Sequence, residues 1–292
     1  MPATTNLPAT PPAGARILQC GDRRLDLTRP QVMGILNVTP DSFSDGGEFF
    51  APEAARAQAV RLAGEGAAIL DVGGESTRPG AAAVTAEEER ARVIPVIRTI
   101  REALPETVIS IDTSKPAVMR AAVAAGAGLI NDVRALREPG ALEAAAELGV
   151  PVCLMHMQGE PRTMQQAPCY DDAVAEVLEF LAARIDACLS AGIPRARLLI
   201  DPGFGFGKTV AHNLRLLRRL DRFAVLDCPL LVGLSRKSLI GAVLGRPVGE
   251  RLYGSIALAV LAVWQGASIV RVHDVGPTVD AVRLCAAARE SG

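Results

Sequence analysis

The sequence predicts one α/β domain in which about eight parallel strands alternate with helices and close into a (β/α)₈ barrel. Three observations lead to this fold class. Short apolar runs of strand length alternate with helical patterns along the chain, as repeated strand–helix units do. These runs are apolar over most of their length, which is typical of strands covered on both faces. A barrel of this kind also reaches 292 residues as a single domain.

The predicted elements follow one another as strand and then helix. Strands are predicted at 32–36, 67–72, 108–111, 128–130, 150–155, 198–200, 230–234 and 269–272. Helices are predicted at 54–66, from the capping box Thr85-Ala86-Glu87-Glu88 to 104, then at 116–126, 139–148, around 174–185, 212–221, 250–265 and 277–289. An open doubly wound sheet is the alternative. It would more often carry a G-x-G-x-x-G turn after its first strand, where this chain has Asn37-Val38-Thr39-Pro40.

Composition argues against several classes of protein. The net charge of −1 gives no electrostatic reason to expect nucleic acid or a membrane surface as a partner, and aromatic residues make up only 3% of the chain. The six cysteines form no C-x-x-C pair, so neither a zinc site nor a redox motif is indicated. The longest apolar run, 256–264, is too short to cross a bilayer.

The first residues differ from the rest of the chain. Residues 1–15 are rich in Ala, Pro and Thr without periodicity, which predicts a disordered tail, whereas residues 16–292 are predicted to form the barrel domain. The tail lacks the basic start and apolar centre of a signal peptide. Together with scattered thiols, this favours a cytoplasmic protein.

A polar loop follows the first predicted strand. The strand should end before Pro40, which cannot donate to a strand ladder. The loop that follows carries two carboxylates, Asp41 and Asp45, and one aromatic residue, Phe43, and a loop of oxygen ligands could hold Mg²⁺. The alternative is an ordinary surface turn, because Asp, Ser and Gly dominate turns.

Polar residues also lie at the ends of the other predicted strands, and in a barrel all of them converge on the carboxyl-terminal mouth. In chain order they are Asn37, Asp71, Asp112, Asn131, His156, Asp201, Lys237, Arg271 and His273. Each Asp or Asn could instead cap the helix that follows it. We interpret His156, between Met155 and Met157, as a buried core histidine rather than a ligand.

Two of these positions are difficult to explain by structure alone. Asp112 precedes a helix that is predicted to begin only at Pro116, so capping explains it poorly. Arg271 and His273 alternate with Val270 and Val272, which places both on one face of the strand. An arginine that points into a barrel needs a partner or a ligand, so a functional role is favoured.

Three further loops carry candidate residues. Gly203-Phe204-Gly205-Phe206-Gly207-Lys208-Thr209 looks like a phosphate loop, but that motif would need Gly at position 202, which is Pro. We predict instead a mobile lip with an exposed aromatic side chain. Ser235-Arg236-Lys237-Ser238 begins a helix and would suit an anion, and Arg78 in the loop 76–80 could reach a phosphate.

Taken together, these segments resemble the successive signatures of the dihydropteroate synthase family. They come in the order of that family and cover about residues 31 to 275: MGILNVTPDSFSDGG, DVGGESTRPG, SIDTSK, INDV, LMHMQG, DPGFGFGK, GLSRKS, ERLYGS and VRVHDV. The resemblance implies a pterin-binding TIM barrel. It implies condensation of 6-hydroxymethyl-7,8-dihydropterin diphosphate with 4-aminobenzoate, release of pyrophosphate, and a role in folate biosynthesis.

The resemblance also implies roles for particular residues. The pterin ring would be bound by Asp112, Asn131, Asp201 and Lys237. Arg271 and His273 would lie beside the ring and contact the diphosphate, and Asn37 would be the Mg²⁺ ligand. Asp41, Phe43 and Asp45 match the first mobile loop of the family, and Thr77 and Arg78 match the second. Ser238 would lie near the aminobenzoate carboxylate, and Phe206 would line that pocket.

From these matches, Asp41, Asp45, Arg78, Lys237, Arg271 and His273 are predicted to be catalytic. The loops would exclude water, and the cationic groups with Mg²⁺ would stabilise the leaving pyrophosphate, so no side-chain nucleophile is required. The resemblance further implies a homodimer built from barrel helices. Two other functions stay open: a pterin-dependent methyltransferase on the same barrel and a non-catalytic pterin-binding paralogue.

Overall fold

A computed structural model describes residues 17–38, 51–76, 83–160 and 163–291. Its strands are β1 (Ile17–Cys20), β2 (Arg23–Asp26), β3 (Gln31–Asn37), β4 (Ile69–Gly73), β5 (Val108–Asp112), β6 (Leu129–Asp132), β7 (Val152–Met155), β8 (Leu198–Asp201), β9 (Leu231–Val232) and β10 (Ile269–Val272). Its α-helices are α1 (Ala51–Gly64), α2 (Ala86–Ala103), α3 (Pro116–Ala124), α4 (Ala141–Leu148), α5 (Ala173–Ser190), α6 (Val210–Arg218), α7 (Ser238–Leu244), α8 (Leu252–Trp264) and α9 (Val275–Glu290).

The strands from β3 to β10 form one eight-stranded sheet in the order β8-β7-β6-β5-β4-β3-β10-β9, and the paired strands are parallel. A parallel bridge between Ile200 and Leu230 joins the two ends of this order. The predicted barrel is therefore confirmed, and the open doubly wound sheet is wrong.

Successive residues of each strand alternate between the helices outside and the barrel interior. The outward side chains, such as Leu36, Val72 and Ile111, belong to the large apolar core under the helices. The inward side chains change character along the strand. Ile69 and Ile269 are apolar, whereas Asp71 and Arg271, two residues further on, are charged. Since the strands are parallel, this change places every polar inward residue at the same end of the barrel.

An antiparallel hairpin of β1 and β2 precedes the barrel and was not predicted. Its buried side chains Leu18, Cys20, Leu25 and Leu27 pack against the first inward residues of the strands, so the hairpin closes the amino-terminal end. The approach is close: a Cβ atom at Gly128 would lie 2.4 Å from the carbonyl oxygen of Cys20. The predicted disordered tail, residues 1–15, lies outside the described residues.

Most other predicted elements are found with shifted ends. The capping box at Thr85 is confirmed, because the Thr85 hydroxyl accepts from the Glu88 amide at 3.2 Å and the Glu88 carboxylate accepts from the Thr85 amide at 3.0 Å. The strand predicted at 230–234 is only Leu231–Val232, and the helix predicted to begin at Ser235-Arg236-Lys237-Ser238 is α7 (Ser238–Leu244). In the part of the chain that the structure describes, every helix is too short or too polar to span a membrane.

Candidate functional site

The polar end of the barrel interior is organised around Arg271. Its Nε donates to Asp71 Oδ2 at 2.5 Å, and its Nη2 donates to Asp112 Oδ2 at 2.8 Å. Asn131 Nδ2 donates to the same Asp71 oxygen at 3.1 Å. Asp71 is 0% exposed, so these contacts hold a fully buried carboxylate. The expectation that an inward arginine needs partners is confirmed, and four strands contribute to this one network.

The electrostatics of the network leave Asp112 near its titration point. Burial raises the pKa of Asp112 to about 7, although the Arg271 charge opposes that rise. Burial disfavours the Arg271 guanidinium, but Asp71 and Asp112 outweigh it and raise the pKa of Arg271 above its ordinary value. Arg271 is therefore a permanent cation, whereas Asp112 changes charge in the physiological range. As predicted, Asp112 does not cap α3: Lys115 stands at that position, without a side-chain cap.

Asp201 and Lys237 lie at the carboxyl ends of the barrel strands β8 and β9. Asp201 Oδ1 accepts from the Gly203 amide at 2.7 Å. Burial raises the pKa of Asp201, and the nearby Lys237 charge opposes the rise. Burial also lowers the pKa of Lys237 to about 8. Lys237 donates to the Phe204 carbonyl oxygen, and its Nζ lies 4.6 Å from the centre of the Phe206 ring.

The loop that contains Phe204 and Phe206 is not the exposed lip that the sequence suggested. Phe204 is 1% exposed and belongs to the main core. Phe206 is half-buried and packs against a small cluster of Val133, Met155, Met157 and Met164. The prediction failed because alternating Gly and Phe is equally compatible with a loop that turns its aromatic rings inward.

His156 is a buried core histidine, as predicted. Its Nδ1 lies 2.9 Å from Lys208 Nζ, and its ring meets Phe180 edge to face at 4.9 Å. Burial, with the charge of Lys208, lowers the pKa of His156 to about 3. The imidazole is therefore neutral and can accept a hydrogen bond.

Residues after β9 and β10 form a second group beside the first. Ser235 Oγ lies 3.1 Å from His273 Nδ1 and accepts from the His273 amide at 3.2 Å. Arg236, predicted as part of an anion site, instead forms an ion pair with Asp274 at 2.5 Å. Ser238 begins α7 and is exposed. The backbone thus brings His273 and Lys237 to the mouth, whereas the side chain of Arg236 is held by Asp274.

Asn37 ends β3 and shares the space above Gly73 with Asp112. A Cβ atom at Gly73 would lie 3.8 Å from Asn37 Oδ1 and 3.8 Å from Asp112 Oδ2. Within the described ranges, no group of three or more His, Cys, Asp or Glu residues could hold a metal by itself. An amide oxygen fits Mg²⁺ if water and substrate phosphate supply the other ligands, which is the usual arrangement for this ion.

Five of the predicted residues cannot be placed in this geometry. Asp41, Phe43, Asp45, Thr77 and Arg78 lie outside the described residues. Their roles stay predictions.

Two residues of the site were not among the predicted site residues. Asp71 appeared only as one of the strand-end polar residues, yet it anchors both Arg271 and Asn131. Its alternation with Ile69 and Gly73 could have placed it on the inward face. Lys208 gave no comparable signal, because its partner His156 is distant in sequence.

Comparison with known proteins agrees with this geometry. The family model described as "Pterin binding enzyme" matches residues 33–273. The chain is 58% identical over 260 residues to the dihydropteroate synthase of Escherichia coli (strain K12), covering 89% of this chain and 92% of that protein.

Solved structures of the same enzyme from Xanthomonas albilineans are also similar. One, with 4-aminobenzoic acid, has a TM-score of 0.90 at 57% identity and covers 94% of this chain and 99% of that one. Another, in complex with 7,8-dihydropteroate, has a TM-score of 0.86 at 55% identity and covers 94% and 98%. The chain therefore belongs to the dihydropteroate synthase family of pterin binding enzymes.

Proposed function

We propose that this chain condenses 6-hydroxymethyl-7,8-dihydropterin diphosphate with 4-aminobenzoate to give 7,8-dihydropteroate and pyrophosphate. The observation that carries the proposal is the network of Arg271, Asp71, Asp112 and Asn131, which shares the barrel mouth with Asp201 and Lys237. The relatives whose structures contain 4-aminobenzoic acid and 7,8-dihydropteroate support the choice of substrates.

The mouth presents the groups that a pterin edge requires. Asp112 and Asp201 are acceptors for the amino and ring N–H donors of the pterin. Asn131 uses its Nδ2 on Asp71, so its Oδ1 is the atom presented to a ligand. Each hydrogen bond to a charged acceptor contributes about 1.5–3 kcal/mol. Lys237, with its flexible stem, supplies a donor for the pterin carbonyl or ring nitrogen.

In the reaction, the bond between the pterin methylene carbon and the diphosphate oxygen breaks, and its electron pair leaves with pyrophosphate. The aminobenzoate nitrogen attacks the methylene carbon and releases a proton. Arg271, with His273 and Arg78, stabilises the negative charge that develops on the leaving group. Among the described residues, Arg271 Nη1 makes no hydrogen bond, so this N–H group is available to an anion.

Magnesium, when bound, would neutralise charge on the diphosphate. We propose Asn37 as the protein ligand, supported by its position at the end of β3 and its amide oxygen. Asp41 and Asp45, in the segment that follows β3, are proposed to be catalytic residues. Thr77, Phe206 and Ser238 are proposed to contact the substrates, with Phe206 and Ser238 on the aminobenzoate side.

The test is turnover by the purified chain with both substrates and Mg²⁺. We expect dihydropteroate and pyrophosphate in equal amounts. Pterin binding without turnover would identify a non-catalytic paralogue. Transfer of a methyl group without pyrophosphate would identify a methyltransferase, and either result would overturn the proposal.

A second experiment addresses the metal. Asn37→Ala should bind a pterin without phosphates as the wild type does, but should lose Mg²⁺-dependent turnover. Wild-type rates at limiting Mg²⁺ would show that Asn37 is not the ligand.

A third experiment addresses the order of binding. Arg78→Ala should reduce the increase in aminobenzoate affinity that pterin, pyrophosphate and Mg²⁺ together produce. Equal aminobenzoate affinity with and without these ligands in the wild type would refute an ordered mechanism.

We further propose a homodimer in the cytoplasm. Large apolar side chains are exposed on the paired helices α8 and α9, among them Tyr253, Leu261, Trp264 and Leu284, and such patches are typical of interfaces. The six cysteines, all within the described residues, form no disulfide, which fits a reducing compartment. Sedimentation analysis should give twice the chain mass, and Tyr253→Glu should lower it to one chain.

A further inference from the structure

A lysine that the proposed reaction does not use is buried beneath the loop 203–207. Lys208 is 3% exposed. Its Nζ lies 2.9 Å from His156 Nδ1, 2.9 Å from the Gly203 carbonyl oxygen and 3.0 Å from the Phe206 carbonyl oxygen. An ammonium group has three N–H donors and no acceptor. Each donor of Lys208 therefore has one partner, and two of the three belong to the loop.

The rest of the loop is held in the same manner, by side chains that donate to its carbonyl groups. The donors to the carbonyl oxygens of 203, 204, 205, 206 and 207 are Lys208, Lys237, Gln165, Lys208 again and Tyr170. The loop also lies against the segment after β7. A Cβ atom at Gly203 would be 1.8 Å from the His156 carbonyl oxygen, and one at Gly207 would be 2.3 Å from that of Gln158.

Core stability alone explains a lysine here poorly. Burying a charge is costly, and apolar residues of similar volume often stabilise such a position as well or better. Burial lowers the pKa of Lys208 to about 7, with Asp201 opposing the change and Lys237 adding to it. The neighbouring His156 is held neutral and so can accept from the ammonium. A buried amino group that donates to two carbonyl oxygens of the loop points to control of the loop.

The loop in turn holds two groups of the site. The Phe204 carbonyl accepts from Lys237, and the Phe206 ring lies 4.6 Å from the same ammonium. A displacement of the backbone between Gly203 and Gly207 would therefore move Phe206 and remove a partner from Lys237.

We propose that Lys208, with His156 as its acceptor, is a positioning residue that fixes the loop 203–207 and, through it, the Phe206 ring against the aminobenzoate. The inference rests on the proposed function in one respect, which is the assignment of Phe206 to the aminobenzoate pocket. Lys208 itself touches no substrate.

The kinetic test uses Lys208→Leu, which keeps the volume of the side chain and removes all three donors. We expect the KM for 4-aminobenzoate to rise about tenfold, because charged hydrogen bonds to the loop are lost. The KM for the pterin diphosphate should change by less than about threefold, since the charge of Lys237 still acts on Asp201. Equal increases in both KM values, or no change in either in a folded variant, would overturn the proposal.

Two further variants keep the test valid if Lys208→Leu does not fold. His156→Leu removes only the acceptor and should raise the aminobenzoate KM in the same direction by a smaller factor. His156→Asn returns an oxygen acceptor near the position of Nδ1 and should restore most of the wild-type value. A failure of His156→Asn to improve on His156→Leu would contradict the role of the hydrogen bond.

The matched control is Phe180→Leu. Phe180 contacts the His156 ring from α5 and makes no hydrogen bond to the loop among the described residues. It should lower Tm without changing the KM for aminobenzoate. If it raises that KM as much as Lys208→Leu does, the effect reflects general loss of packing and the proposal is wrong.

A substrate-free measurement separates this proposal from the proposed function. Met155, Met157 and Met164 pack with Phe206, so their ¹³C-labelled methyl groups report the position of the aromatic ring. Lys208→Leu should shift these three signals while Met33 and Met119, which lie in other clusters, stay unchanged. Unchanged signals would refute positioning even if the wild type turns over. Absent turnover with shifted signals would refute the proposed function alone.

Discussion

The two ends of the barrel interior are built from the same strands but have opposite chemistry. At the amino-terminal end, Ile69, Val108 and Ile269 pack beneath the hairpin of β1 and β2. Two residues further along each strand, the same face carries Asp71, Ser110 and Arg271. Within the described residues, Asp71 Oδ1 and Ser110 Oγ are buried without a hydrogen-bond partner. One end is packed for stability, whereas the other carries buried polar groups next to the mouth.

The largest expected effect is at the polar end. Arg271→Met should destabilise the fold by about 3–5 kcal/mol near pH 8, because it leaves the buried carboxylates of Asp71 and Asp112 without their cation. Turnover should also be lost, since the guanidinium is proposed to stabilise the leaving group. Denaturant unfolding and a turnover assay measure the two effects. A stable but inactive variant would show that the network serves binding alone.

The apolar end should respond in stability but not in function. Leu25→Ala removes a buried side chain of the hairpin and should cost about 2–4 kcal/mol of stability. Because the hairpin lies at the opposite end from the mouth, both KM values and kcat should match the wild type at a temperature where the variant is folded. An altered KM would mean that the two ends are coupled through the barrel.

Asp112→Asn should separate binding from stability at the mouth. Binding of a pterin analogue should weaken by about 1.5–3 kcal/mol, because a charged acceptor is lost. The free energy of unfolding, by contrast, should rise at pH 8. An aspartate has an ordinary pKa of about 3.9, whereas burial raises that of Asp112 to about 7. Between these values only the folded state holds the proton, so wild-type stability falls as the pH rises from about 4 to about 7.

The variant lacks this loss, so its free energy of unfolding should exceed that of the wild type by up to about 4 kcal/mol at pH 8 and match it below pH 4. Unfolding measured at both pH values, with calorimetry for the analogue, tests the prediction. A variant less stable than the wild type at pH 8 would show that the hydrogen bond to Arg271 outweighs desolvation of the carboxylate.

The smallest effect is expected for a charge pair outside both regions. Arg29 forms an exposed, bidentate ion pair with Glu290 at 2.9 and 3.0 Å. Such pairs contribute about 0–1 kcal/mol. Arg29→Ala should therefore leave Tm and turnover nearly unchanged, and it serves as the reference for the other variants. A large loss of stability would indicate that the pair anchors α9.

The fold could be predicted because alternating strand and helix patterns depend on local sequence, and the barrel follows from their number. The hairpin was missed although Leu18, Cys20, Leu25 and Leu27 alternate with polar residues around Gly21. Strands of four residues give too short a pattern to stand out. The failure at 203–207 has another cause: burial of Phe204 is decided by the neighbouring helices, not by the loop itself.

At the mouth, the sequence predicted which polar residues converge but not which partners they have. The convergence of Asp112, Asn131, Asp201 and Arg271 follows from parallel strands ending at one mouth. That Asp71 binds both Arg271 and Asn131, while Arg236 pairs with Asp274, depends on side-chain directions that spacing does not determine. The contact between Lys208 and His156 depends in addition on how the loop after β8 folds back on the segment after β7.

The way the barrel closes has a consequence for its motions. The strands β8 and β9 meet through one bridge, between Ile200 and Leu230, whereas the other neighbouring strands share ladders of two or more paired residues. Local opening of the barrel should be most frequent at this seam between β8 and β9. Asp201 lies on one side of the seam and Lys237 on the other. A pterin bound to both residues would therefore link the two sides and oppose their separation. Amide hydrogens there should exchange more slowly once the ligand is bound, and the ligand would complete the closure of the cylinder.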